Sequence, residues 1–97
     1  MSAEIEEILK RYSNFPNVSG IIIVDAFAIP IKTTMEYTLT VHYAALANNL
    51  LAKGSKMVQK LDSSNELTAL RLRTLNHELM IVPEENFFIV VVQKPCE

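Results

Sequence analysis

Two apolar, β-branched runs stand near opposite ends of the chain, and a long helical pattern separates them. The first is Gly20-Ile21-Ile22-Ile23-Val24, followed closely by Ile29-Pro30-Ile31. The second is Phe87-Phe88-Ile89-Val90-Val91-Val92. Neither shows the polar alternation of a strand with one wet face. Continuous runs of this kind favour strands buried on both faces. A sheet with such strands needs a layer on each side, so the pattern predicts a helix–sheet–helix sandwich. It excludes a one-sided meander.

The stretches between the runs supply those layers. Ile5, Ile8, Leu9 and Tyr12 follow the i, i+3, i+4, i+7 spacing of one apolar stripe and predict a helix over residues 3–14. Ser2 suits its cap, Glu4 and Glu6 its positive end, Lys10 and Arg11 its negative end, and Pro16 stops it. Residues 18–24 and 29–33 read as two strands of a hairpin linked by Asp25-Ala26-Phe27-Ala28. Pro30 lacks an N–H, which places the second strand at a sheet edge.

A long helix starts at Thr38 or Thr40 and runs to about Leu61. Tyr43, Leu46, Ala47, Leu50, Met57 and Leu61 form its expected core stripe. A second stripe, Val41, Ala45, Asn48, Ala52 and Ser55, is mostly small, with Gly54 beside it. Such a face either packs on its own domain or lets another helix approach closely. After an Asp62–Asn65 loop, Glu66 to Thr74 alternates as a half-exposed strand. Thr68, Leu70 and Leu72 face one way, and Ala69, Arg71 and Arg73 the other. Residues 75–77 turn, 78–82 form a fourth strand, Pro83-Glu84-Glu85-Asn86 turns again, and 87–93 close the sheet. The predicted order is α-β-β-α-β-β-β.

With 97 residues, one domain is expected. Apolar residues make up 49% of the chain, a surplus for so small a body that suggests burial against a partner. Nine basic residues against eleven acidic ones leave a net charge of −2 and no electrostatic reason to expect nucleic acid. No run approaches the ~20 apolar residues of a membrane span. The acidic N-terminus lacks a signal-peptide core, and the lone Cys96 fits a reducing compartment. Neither prenylation nor myristoylation signals are present. A soluble intracellular protein is expected.

Residues that could carry chemistry are few. His42 and His77 lack ligand spacing and read as surface groups. Cys96 has no neighbouring base, so nothing supports a nucleophile. Gly20 and Gly54 belong to no phosphate-binding loop, and Gly20 eases the start of a strand. Glu84 and Glu85 diverge into water. The sequence offers no set of residues for an enzyme, a metal or a cofactor. Surfaces are more informative. Lys53, Lys56 and Lys60 make a basic stripe on the long helix, either a solvated face or one for an acidic partner. Arg71 and Arg73 either discourage uncontrolled strand pairing or frame one specific pairing with a second copy.

The chain resembles the roadblock-type dynein light chains over nearly its whole length. The resemblance is carried by Glu6-Glu7-Ile8-Leu9-Lys10-Arg11, Gly20 to Val24, Ile29-Pro30-Ile31-Lys32-Thr33, Tyr43-Ala44 with Leu46, and Asn65-Glu66-Leu67-Thr68. It continues through Leu70-Arg71-Leu72-Arg73, Asn76, Glu78, Met80, Val82-Pro83, Phe88-Ile89-Val90, Gln93 and Pro95. It implies a single roadblock-type domain over 1–97, an α+β fold of profilin/roadblock type. A five-stranded antiparallel sheet would lie between a short N-terminal helix and a long central helix. It also implies a homodimer, or a heterodimer with a related chain. Here the third strands would pair at Leu67, Ala69, Arg71 and Arg73, and the long helices would meet at Ala45, Asn48, Ala52 and Ser55.

The family role is that of a non-catalytic dynein subunit that binds the intermediate chain and supports cargo attachment and microtubule-based transport in the cytoplasm. Related domains serve as scaffolds for small GTPases, the alternative reading. One departure stands out: the family usually carries glycine before the Ile-Pro-Ile element, and this chain has Ala28. If that position needs positive φ, alanine costs roughly 1 kcal/mol.

Overall fold

The computed structural model describes residues 2–94. Met1, the capping side chain of Ser2, Pro95 and Cys96 lie outside the described residues. The elements run α1 (Ser2–Ser13), β1 (Val18–Asp25), β2 (Pro30–Thr33), α2 (Tyr37–Leu61), β3 (Leu70–Arg73), β4 (Glu78–Pro83) and β5 (Phe87–Gln93). The order is the expected one, and the strands form one five-stranded antiparallel sheet in the order β2-β1-β5-β4-β3.

The two apolar runs lie beside each other near the middle of this sheet, paired from Val18↔Gln93 to Asp25↔Phe87. Their side chains divide between two cores. Ile21, Ile23, Phe87, Ile89 and Val91 meet Ile5, Ile8 and Tyr12 of α1. Ile22, Val24, Phe88, Val90 and Val92 meet Ala44 and Ala47 of α2, with Ile81. Successive strand residues point to opposite faces, so an unbroken apolar run serves both cores at once.

Gly20 is needed where it stands. It is buried, and Met35 lies across it. A methyl group there would collide with Met35 Cγ and Sδ. Close approach therefore explains this glycine, more than ease of starting a strand.

The β1–β2 hairpin closes through a three-residue loop. Ala28 N–H donates to the Asp25 carbonyl at 3.1 Å, and Asp25 N–H donates to the Ile29 carbonyl at 2.9 Å. Asp25 Oδ1 accepts from Phe27 N–H at 2.9 Å and Ile29 N–H at 3.0 Å. The ladder slips between Ile23 and Val24, which face Lys32 and Pro30. This is a turn followed by a bulge, and its last residue must be left-handed. Ala28 occupies that position with φ 67°. The expected conflict at Ala28 is therefore present, and β2 lies at the sheet edge, as Pro30 requires.

Helix α2 begins at Tyr37, slightly earlier than expected. Glu36 is the N-cap, its carboxylate accepting from Leu39 N–H at 2.9 Å. Thr40 is buried in the first turn, its hydroxyl 2.8 Å from that of Thr33. The helix exit is held by Asp62, whose carboxylate accepts from the hydroxyl and the N–H of Ser64. These bonds hold its pKa below the ordinary carboxylate range.

The core face of α2 differs from the expected stripe. Thr40, Ala44 and Ala47 are buried, with Tyr43, Leu50 and Leu51 half-buried beside them. Leu46, Met57 and Leu61 are 50%, 62% and 81% exposed. Small residues let the helix axis sit close to the valine-rich sheet, and the larger ones then fall on the flank. Gly54 lies against Leu67 of the same chain, where a Cβ would stand 3.3 Å from Leu67 Cδ2. Finally, β3 is shorter than the expected 66–74. Residues 66–69 are irregular, and the ladder with β4 runs only from Leu70↔Ile81 to Arg73↔Glu78.

Two stability outcomes follow from this geometry. Ala28→Gly relieves the left-handed alanine and should raise the thermal midpoint by a few degrees, a net gain of about 0.5–1 kcal/mol. Gly20→Ala should lower stability by about 1–3 kcal/mol, because it overpacks a filled site. Both are read by thermal or denaturant unfolding, and an Ala28→Gly midpoint at or below the parent value would refute strain in the turn.

Candidate functional site: the open edge at β3

The sheet has two edges, and they differ in chemistry. At β2, Pro30 removes one donor and a bulge bends the strand. Lys32 Nζ is tied to Glu6 Oε1 of α1 at 3.3 Å. These features blunt an edge. At β3, four residues pair with β4 on one side, and no strand of the described residues pairs on the other.

The β3 side chains alternate as expected over 70–73. Leu70 packs toward the α2 core, and Leu72 is 41% exposed on the same face. Arg71 lies on the α1 side. Its Nη2 is 3.8 Å from Met80 Sδ and its Nη1 is 3.7 Å from Glu78 Oε2. The pair with Glu78 is exposed on the arginine side and contributes little on its own.

A cleft of about 330 Å³ opens between this edge and α2. Leu46, Leu50 and Lys53 form its helical wall, and Leu72 and Leu79 its strand wall. Leu46 and Leu72 stand half in solvent on its two sides. The surface thus joins free backbone donors and acceptors to an apolar flank, the ingredients of strand addition with side-chain packing.

The expected seam residues divide between two places. Arg71 and Arg73 lie on the open strand itself, while Leu67 and Ala69 precede it in the irregular segment, with Leu67 half-buried against Gly54. Ala45, Asn48 and Ala52 are exposed and Ser55 half-buried. At 100° per residue they lie around α2 from Leu46, Leu50 and Lys53, away from the cleft. The helical flank that adjoins β3 is therefore the leucine flank. The sequence carries a usable signal for this: Thr40, Ala44, Ala47 and Leu51 also repeat at helical spacing, and taking them as the core turns Leu46 outward.

Among the described residues, no group of three or more His, Cys, Asp or Glu is placed to hold a metal ion. No described helix is long and apolar enough to cross a membrane. His42 and His77 are both exposed, and His77 N–H donates to Thr74 Oγ1 at 3.0 Å in the β3–β4 turn.

The family model described as Roadblock/LC7 domain matches residues 4–94. The chain belongs to the Roadblock/LC7 family. Solved structures agree on the fold. A Roadblock/LC7 domain from Streptomyces avermitilis superposes with a TM-score of 0.78 at 12% identity, over 86% of this chain and 71% of that one. MglB of Myxococcus xanthus gives 0.74 at 18% identity, over 95% and 71%. An MglB solved in a tetrameric arrangement gives 0.66 at 13% identity, over 95% and 71%. At such identities the likeness shows the Roadblock/LC7 fold alone.

The lead-in to this edge can be probed at Gly54. A Cβ there would stand 3.3 Å from Leu67 Cδ2, a terminal methyl that can turn aside. Gly54→Ala should therefore gain helix propensity, about 1 kcal/mol, and raise the unfolding midpoint. Gly54→Leu should lower it by displacing Leu67.

Proposed function

We propose that this protein is a non-catalytic scaffold that works as a self-paired unit. The β3 edges of two copies join into one continuous sheet, and the α2 helices lie side by side across the seam. The observation that carries this reading is the open β3 edge with Leu72 and Leu46 half-exposed beside it. Proline and a bulge blunt the β2 edge, while the β3 edge has neither and carries two arginines that can frame one specific pairing. The solution of an MglB in a tetrameric arrangement supports self-association as a property within reach of this fold. A specific dimer of this kind buries on the order of 1,600 Å².

The partner class that fits best is a small GTPase bound or regulated by the pair. Similarity to bacterial MglB proteins supports this reading over a motor subunit. A second reading remains in play on the ordered sequence resemblance from Glu6 to Gln93: a dynein light chain that binds the intermediate chain in the cytoplasm, on microtubules. Two binding experiments separate them. Titration with purified small GTPases in their GTP and GDP forms should give nucleotide-dependent binding. Calorimetry with a dynein intermediate-chain segment should give saturable binding only if the motor reading holds.

Self-pairing has its own test. Sedimentation velocity should show a dimer for the parent protein and a monomer for Leu46→Glu with Leu72→Glu, because both charges enter an apolar seam. Ala45→Glu with Ala52→Glu should leave the dimer intact, since those residues lie on the other flank. Dissociation by the alanine pair alone would move the seam to the small-residue stripe.

A further inference from the structure

We infer that the self-paired protein binds a phosphoryl group between its two β3 strands, on the face of the sheet opposite α2. The inference rests on the self-pairing proposed above. It adds a site that one copy alone does not have.

The direction of the β3 backbone fixes the geometry. Thr74 N–H donates to the His77 carbonyl at 2.8 Å and closes the β3–β4 turn. Backbone groups alternate along an antiparallel ladder. Leu72 and Leu70 therefore bond to β4, and Arg71 and Arg73 aim their N–H and C=O groups at the open edge. Pairing about the middle of the strand sets Arg71 opposite the partner's Arg71 or the partner's Arg73. Residues opposite one another share a face of the sheet. Arg71 stands beside Met80, which packs toward the α1 core, and Arg73 lies two residues further along the same face. The arginines of both copies thus gather on the α1 side of the seam.

Like charges directly opposite one another weaken a strand pair. Glu78 offsets part of the charge, with its Oε2 3.7 Å from Arg71 Nη1, yet the Arg71 side chain stays 61% exposed. Four arginines against two Glu78 carboxylates leave two positive charges uncompensated. Met80, Val82 and Gln93, the neighbours on this face of β4 and β5, are uncharged. Glu84 and Glu85 lie beyond the far end of β4. The other basic cluster, Lys53, Lys56 and Lys60, is exposed on α2, across the sheet.

The missing charge identifies the ligand class. A phosphate monoester carries about −1.5 to −2 at pH 7, which matches the surplus. Its three terminal oxygens accept from several guanidinium forks at once, whereas a carboxylate matches one. Such a group is carried by a phosphorylated side chain or by a free phosphate compound, and the test separates the two sources.

The probes are a phosphoserine peptide and inorganic pyrophosphate, read by calorimetry and sedimentation velocity. A ligand held between two copies binds the dimer alone, so at about 100 Kd it should tighten the monomer–dimer constant about a hundredfold. Binding of the peptide alone assigns a phosphorylated side chain, and pyrophosphate binding at least as tightly assigns a free compound. Leu46→Glu with Leu72→Glu, expected to be monomeric, should bind neither. Arg71→Gln with Arg73→Gln removes the repulsion, so it should pair without ligand and ignore both probes. Arg71→Lys with Arg73→Lys keeps the charge and loses the fork, and should bind about tenfold more weakly. This second variant carries the test if the glutamine variant does not fold. A chain that stays monomeric with and without either probe overturns self-pairing and this inference together. A dimer that binds neither probe, or binds a glutamate peptide as tightly as the phosphoserine one, overturns this inference alone.

Discussion

Burial of β1 and β5 on both faces is the constraint on which the rest of this molecule depends. Ile21 to Val24 and Ile89 to Val92 are essentially inaccessible to water. Each such side chain contributes roughly 1.5–3 kcal/mol when removed from solvent, but only if both faces are covered. Helix α1 covers one and α2 the other. With the two most apolar strands adjacent, β2 and β4 take the flanking positions and β3 becomes the far edge. The location of the candidate site is thus a consequence of core formation.

The same constraint sets how α2 sits. The sheet face beneath it is built from Ile22, Val24, Val90 and Val92. The helix approaches that face through Ala44 and Ala47, with the Thr40 hydroxyl satisfied by Thr33. Close approach through small residues leaves leucines and methionine with no room underneath. They emerge on the flank, where Leu46 and Leu50 meet Leu72 and Leu79 in the cleft. Apolar residues that look like surplus core are, in this packing, surface that faces the open edge. This also answers the high apolar fraction of the chain, since part of it is spent outside the core.

Strain and blunting are concentrated at the opposite edge. Ala28 is left-handed in a turn held by the N–H groups of Phe27 and Ile29, which donate to the Asp25 carboxylate. Phe27 projects from the same turn almost fully exposed. The bulge, Pro30 and the Lys32–Glu6 pair make β2 a poor template for another strand. β3 has no proline and no bulge in its pairing with β4.

Element order, the two-sided core and the edge position of β2 were legible in the sequence. Each follows from local chemistry: β-branched runs, one amphipathic stripe, a proline without a donor. The demand for positive φ at Ala28 was legible too, as a departure from the family's glycine. The orientation of α2 was not. A helix with apolar residues around much of its girth has several candidate core faces, and hydrophobic spacing cannot rank them. Nor was the length of β3 legible, because Thr68 and Ala69 continue the alternation of Leu70 to Arg73 while Leu67 is drawn to Gly54. The sequence by itself determined that the two β-branched strands must be buried on both faces. Only the tertiary structure decided which face of α2 does the burying, because that depends on the shape of the sheet it meets, and with it which leucines stand beside the open edge.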